Sequence, residues 1–152
     1  PQKTTADHAK KDHVKHMQQL LLTYFADNPQ LYTKVKRFIS ASDFTDETYG
    51  FVAQRFFEDL EKGEANPVKL INLFEDPAEQ SEVSALFTTY LSDLEEGKEA
   101  KNKAFRDILL AVKKNSFAFY SERSGTDIAA LTKVIEGKKA LEELEKTHIF
   151  VD

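Results

Sequence analysis

The chain has 152 residues, 41% apolar and 31% charged, which fits one soluble globular domain able to bury a core without metal or disulfide support. It contains no cysteine, which excludes disulfides, thiolate zinc sites and cysteine nucleophiles and suits a reducing compartment. Its net charge of −5 is uneven: residues 1–40 hold seven basic and three acidic side chains, residues 41–100 four and fifteen, and residues 101–152 ten and eight. So acidic a middle third repels phosphate, which makes nucleic acid a poor partner and a protein a better one.

Helix punctuation is the clearest signal along the chain. Three of the four prolines follow an Asx residue, in Asn28-Pro29, Asn66-Pro67 and Asp76-Pro77. An Asx side chain can accept from the free N–H groups of a first turn, and proline at the first helical position forfeits no hydrogen bond. Gly63, Gly97 and Gly125 stand where the preceding apolar pattern has ended, as helix stops do.

Between those marks the apolar spacing is helical. A first helix is expected over about 5–27, with Val14, Met17, Leu21, Tyr24 and Phe25 on one face. A second, about 29–39, presents Leu31, Val35, Phe38 and Ile39. A third begins after Thr45 and carries Tyr49, Val52, Ala53, Phe56, Phe57 and Leu60. Gly50 within it costs about 1 kcal/mol relative to alanine, which points to a tight packing contact. A short helix over about 67–74 carries Val68, Ile71 and Phe74. The next starts at Pro77 and shows Val83, Leu86, Phe87, Tyr90, Leu91 and Leu94, its end blurred by the acidic run before Gly97. A long helix of about 98–123 follows, with Phe105, Ile108, Leu109, Val112 and Phe119 along one side. The last, about 127–147, carries Ile128, Leu131, Val134, Ile135, Leu141 and Leu144, and its stripe lapses around Gly137, a candidate break. Nothing alternates with period two for long enough to make a strand.

The expected fold is therefore all-α. Residues 1–11 are a linker or frayed helix start, residues 12–97 form a bundle of five to six helices, and residues 98–152 supply a long connecting helix and a C-terminal helical hairpin built from two long helices. Eleven of the twelve phenylalanines and all five tyrosines lie at or before residue 120, so the hairpin around Ser124-Gly125-Thr126 is lean in aromatics. A lean hairpin leaves an apolar edge free as a docking surface. On it we place Tyr120, Arg123, Ile128, Leu131, Ile135 and Lys138. The apolar tail Ile149, Phe150 and Val151 joins them, because a helical stripe cannot continue over three consecutive apolar residues without exposing one of them.

Several segments, in order, carry a family resemblance. They are Asp43-Phe44-Thr45 with Glu47 and Tyr49, Asn66-Pro67 leading to Ile71-Asn72, and Phe74-Glu75-Asp76; then Ala85-Leu86-Phe87, Val112-Lys113-Lys114-Asn115-Ser116, Thr126-Asp127-Ile128, and Leu144 to His148-Ile149. From about residue 12 to its end the chain resembles the carboxy-terminal domain of DnaG-type bacterial DNA primases, particularly the clostridial branch. The resemblance implies a helical bundle and hairpin that dock on the N-terminal collar of the hexameric, DnaB-type replicative helicase. Such a domain recruits primer synthesis to the fork, modulates the helicase, and works in the cytoplasm as part of the replisome. Gly137 and the tail from Ile149 to Asp152 depart from the family's pattern. The runner-up readings are the collar domain of the helicase itself, which would self-associate, and an unrelated helical adaptor.

Catalysis is not expected of this chain. Primer synthesis needs an acidic metal-binding cluster and a cysteine-rich zinc module, and neither an Asp-x-Asp pair nor a cysteine occurs. The chain opens on Pro1, so a piece of a longer primase is expected, with nucleotidyl transfer belonging to other parts. His8, His13 and His16 gather in the first helix, and His13 and His16 share a face with Asp12 nearby. A solvated, lysine-rich helix explains them without a metal, and no cofactor is expected. Glu95-Glu96 and Glu142-Glu143 do not face one another on a helix and read as solvated surface. Lys113-Lys114 is a weak nucleic-acid footprint beside an acidic bundle. No membrane contact is expected, and the domain alone should be a monomer.

Overall fold

Each Asx-Pro pair does start a helix. In the computed structural model, which describes residues 3–88 and 97–151 and the side chains from Ala9 onward, Asn28 Oδ1 accepts from the N–H of Gln30 at 3.2 Å. Asn66 Oδ1 accepts from Lys69 at 3.2 Å and Asp76 Oδ1 from Ala78 at 3.3 Å. Asp46 and Asp127 cap in the same way, at 3.1 Å to Tyr49 N and 2.9 Å to Ala129 N. At the far end of its helix Gly63 turns left-handed, with φ 69°, and its N–H returns to the last carbonyls.

The described residues form α1 (Lys3–Asp27), α2 (Pro29–Val35), a 3-10 turn (Ala41–Asp43), α3 (Glu47–Lys62), α4 (Pro67–Ile71), α5 (Pro77–Thr88), α6 (Lys98–Arg123) and α7 (Ile128–Lys146). There is no strand among them, and the all-α fold stands. The stretch Tyr90, Leu91, Leu94 and Glu95-Glu96 lies outside the described residues. Two helices are shorter than their apolar spacing suggests. After Val35 the chain tightens, with Phe38 N bonded to Val35 O at 2.8 Å, and this turn still delivers Phe38 and Ile39 to the core. After Ile71 the same tightening, Phe74 N to Ile71 O at 3.2 Å, swings Phe74 inward against the Phe51 ring.

The centre of the bundle is α1, which packs against α2, α3, α5 and α6. Its Leu21, Leu22 and Phe25 are sealed from solvent. Phe25 meets Phe57 of α3 at 5.7 Å and Phe105 of α6 at 6.2 Å, both edge to face. Tyr24 adds a second edge on Phe105 at 5.3 Å. Such ring pairs contribute about 0.5–1.5 kcal/mol each beyond the area they bury.

Gly50 is the tight contact its position in α3 implied: a Cβ there would lie 2.7 Å from the carbonyl oxygen of Phe44. Gly137 does not break α7, which is continuous from Ile128 to Lys146. It is buried against α6, where the Phe117 ring edge lies 3.5 Å from where a Cβ would be. The missing side chain lets the two helices of the hairpin approach.

The hairpin shares its core with the helices before it. Among the described residues Phe105, Leu109 and Val112 of α6, with Leu144 and Ile149, belong to the same core as the buried residues of α1 to α3. The tail runs back across the bundle as a strap. Lys34 Nζ donates to Phe150 O at 2.6 Å, Asn28 Nδ2 to Val151 O at 3.2 Å, and Val151 N to Asn102 Oδ1 at 2.8 Å. Arg106 closes the exit of α7 by donating to Leu144 O at 2.9 Å.

Candidate protein-interaction surface

A helix turns about 100° per residue, so the apolar residues of α7 divide into two stripes roughly 120° apart. The inner one runs through Ala130, Val134, Gly137, Leu141 and Leu144 and faces α6, with Ala130, Gly137 and Leu144 buried. The outer one runs through Ile128, Leu131, Ile135 and Lys138, all exposed: Ile128 by 85%, Leu131 by 46% and Ile135 by 64%. The sequence pattern merged these stripes into one. Assigning each residue its angle separates them.

Of the other proposed surface residues, Arg123 is exposed at the end of α6. Its guanidinium lies 3.5 Å above the Phe119 ring and donates to Phe119 O at 2.8 Å. Tyr120 is half-buried and donates its hydroxyl to Ser42 O at 2.7 Å. Burial, with the nearby Asp43 charge, pushes that phenol above its ordinary range, so it stays a neutral donor. Phe150 is exposed and stacks on His148. Ile149 and Val151 are placed differently from the free apolar tail read in the sequence: Ile149 is buried in the core and Val151 half-buried against it. The strap explains this, since its main-chain bonds to α2 and α6 direct alternate side chains inward.

Beneath the hairpin lies a buried polar belt that joins two of the motifs quoted above. The Asp43 carboxylate accepts from Lys113 Nζ at 3.0 Å, Ser116 Oγ at 2.7 Å and Ser40 N at 2.9 Å. Thr45 Oγ1 receives Asn115 Nδ2 at 3.1 Å and Gln18 Nε2 at 3.0 Å, and Gln18 Oε1 accepts from Asp46 N at 3.0 Å. Asp-Phe-Thr and Lys-Lys-Asn-Ser therefore meet each other, locking the 3-10 turn to α6, which carries the hairpin. With Lys113 committed to Asp43, only the exposed Lys114 of that pair faces solvent. Nothing in the sequence pattern signals a partnership across 70 residues.

His13 and His16 are exposed on α1, and the side chain of His8 lies outside the described residues. Among the described residues no three His, Asp or Glu side chains converge as a metal site, and no helix is long and apolar enough to cross a membrane. No family model, curated protein or solved structure matches the chain.

Proposed function

We propose that this chain is a non-catalytic docking domain, the helicase-binding carboxy-terminal domain of a bacterial DNA primase, whose partner is the N-terminal collar of the hexameric replicative helicase. The ordered resemblance supplies the identity of the partner. The observation that carries a docking role is the outer stripe of α7. Three large apolar side chains stand in solvent on a helix whose inner stripe is already satisfied by α6. A row at i, i+3 and i+7 is what a helix offers to a groove or to another helix. In this reading Arg123, held over the Phe119 ring beside the hairpin turn, adds a cationic edge, and Phe150 lies on the strap rather than on a free tail.

The test is co-migration with the replicative helicase on a sizing column, for the parent chain and for Leu131→Asp and Ile135→Asp. A complex with the parent that is lost in both variants, with unchanged helical content, is the expected result. No complex with the parent would sink the reading, and self-association of the chain alone would favour a collar domain instead.

A further inference from the structure

A second feature stands away from the α7 stripe, between the start of α3 and the turn joining α4 to α5. Phe51, Leu73 and Phe74 floor an open surface hollow of about 610 Å³. Phe51 and Leu73 remain 40% and 46% exposed. Leu73 lies in the turn that follows α4. The rim is made of Glu47, Glu75, Asp76 and Glu79, and no cation lines it.

Part of that acidity has a local cause. Asp76 caps α5, and Glu47 and Glu79 sit in first turns where the helix dipole favours them. Glu75 precedes the cap and has no such role. Among the described residues none of these four carboxylates is in an ion pair, whereas Asp43, Glu61, Glu82 and Asp107 each have a lysine. An apolar floor within an uncompensated acidic rim complements one chemistry in particular: a large apolar side chain flanked by Lys or Arg.

We infer that this hollow docks a cationic amphipathic segment of a partner protein, seating an apolar side chain on Phe51, Leu73 and Phe74 while its basic residues meet the rim. The site shares no residue with the α7 stripe and does not depend on the proposed function. Arg55, outside the lining of the hollow, lies over the Phe51 ring with its guanidinium carbon 5.5 Å from the centroid.

The probe is a fluorescein-labelled helical peptide with Leu and Phe on one face and Lys on the other, read by anisotropy and by amide NMR shifts on the whole chain. Shifts should centre on Thr48, Phe51 and Leu73 to Glu75. Leu73→Ser and Glu75→Lys should each weaken binding by about tenfold or more. The same peptide with Glu in place of Lys should not bind. Both substituted positions are exposed, and unchanged melting of each variant confirms folding. Shifts centred on the carboxylates of α7, or an affinity unchanged from the parent's in either variant, would overturn the inference. Concentration-dependent self-association that Leu73→Ser abolishes would overturn it too, by making a second copy the occupant.

Discussion

Replacing Lys113 with methionine keeps most of the side chain's volume and removes only the charge that faces Asp43. Lys113 and Asp43 side chains are 6% and 8% exposed, so water cannot take the place of the lost ammonium. Asp43 would keep Ser116 Oγ and Ser40 N as donors, both neutral. Breaking one half of a buried pair costs about 3–5 kcal/mol, a large part of the roughly 5–15 kcal/mol that holds such a domain folded. With a urea dependence of about 2 kcal/mol per molar, the unfolding midpoint should fall by roughly 1.5–2.5 M. Adding Asp43→Asn removes the stranded charge and leaves an amide that the two remaining hydroxyl and amide groups can satisfy. The double variant should therefore be more stable than Lys113→Met alone, with a coupling on the order of 2 kcal/mol. Circular dichroism in urea on four proteins completes the cycle. A loss under about 1 kcal/mol for Lys113→Met, or a double variant no better than the single one, would show that the belt does not hold α6 to the 3-10 turn.

Two glycines should respond oppositely to alanine. Gly50→Ala forces its Cβ against the Phe44 carbonyl at 2.7 Å and should cost about 1–3 kcal/mol, whereas Gly137→Ala makes an ordinary contact at 3.5 Å and should gain up to about 1 kcal/mol, both read as shifts in melting temperature. Burial opposes ionisation of Glu82, but hydrogen bonds from Lys15 and Tyr49 and the Lys15 charge outweigh it and hold the carboxyl below its usual 4.5. A depressed carboxylate stabilises the fold above that value and loses its effect as pH falls through the folded pKa, so Glu82→Gln should flatten the decline of stability below pH 4.5. The opposite limb belongs partly to Tyr32, whose phenol is pushed from 10.0 up to about 12 by burial and then by the Glu61 charge. That contribution is intact below pH 10 and fades as pH rises to about 12, a loss that Tyr32→Phe should remove in alkaline melts. Ile149→Ala should cost about 2–4 kcal/mol in urea unfolding, because the strap holds that side chain in the core.

Helix starts were legible because their chemistry is local: an Asx oxygen, a proline and two or three N–H groups lie within four residues. The span of α6 was legible for the same reason, an apolar period uninterrupted between Gly97 and Ser124. The early ends of α2 and α4 were not, since Phe38 and Phe74 keep helical spacing while the backbone tightens to aim them at partners elsewhere. Gly137 misled because a glycine costs helix stability in isolation, and the compensation, close approach to Phe117, comes from another helix. The tail was legible in part, since Phe150 is exposed as a three-residue apolar run requires, whereas the burial of Ile149 was not. Three apolar residues in a row cannot lie on one helix face, but in an extended strap alternate ones can be buried, as Ile149 is. At the surface, exposure of Ile128, Leu131 and Ile135 follows from which face α6 takes, which only the packing decides.

That choice of face bears on what the outer stripe is for. The inner stripe alone suffices to close the hairpin, since it carries the buried residues of α7 and ends in Leu144 at the core. Ile128, at the first helical position and 85% exposed, neither complements the helix dipole nor packs. Ile135 adds a β-branched residue that a helix tolerates slightly less well than leucine or glutamate. Polar substitutions along this row should therefore shift stability by no more than about 0.5 kcal/mol. Deleting the hairpin would remove Leu144 and Ile149 from the core and confound binding with unfolding. Single changes at Leu131 and Ile135 separate the two. Lost binding with an unmoved urea midpoint assigns the row to docking, whereas a lowered midpoint would mean that the outer face contributes to the fold after all.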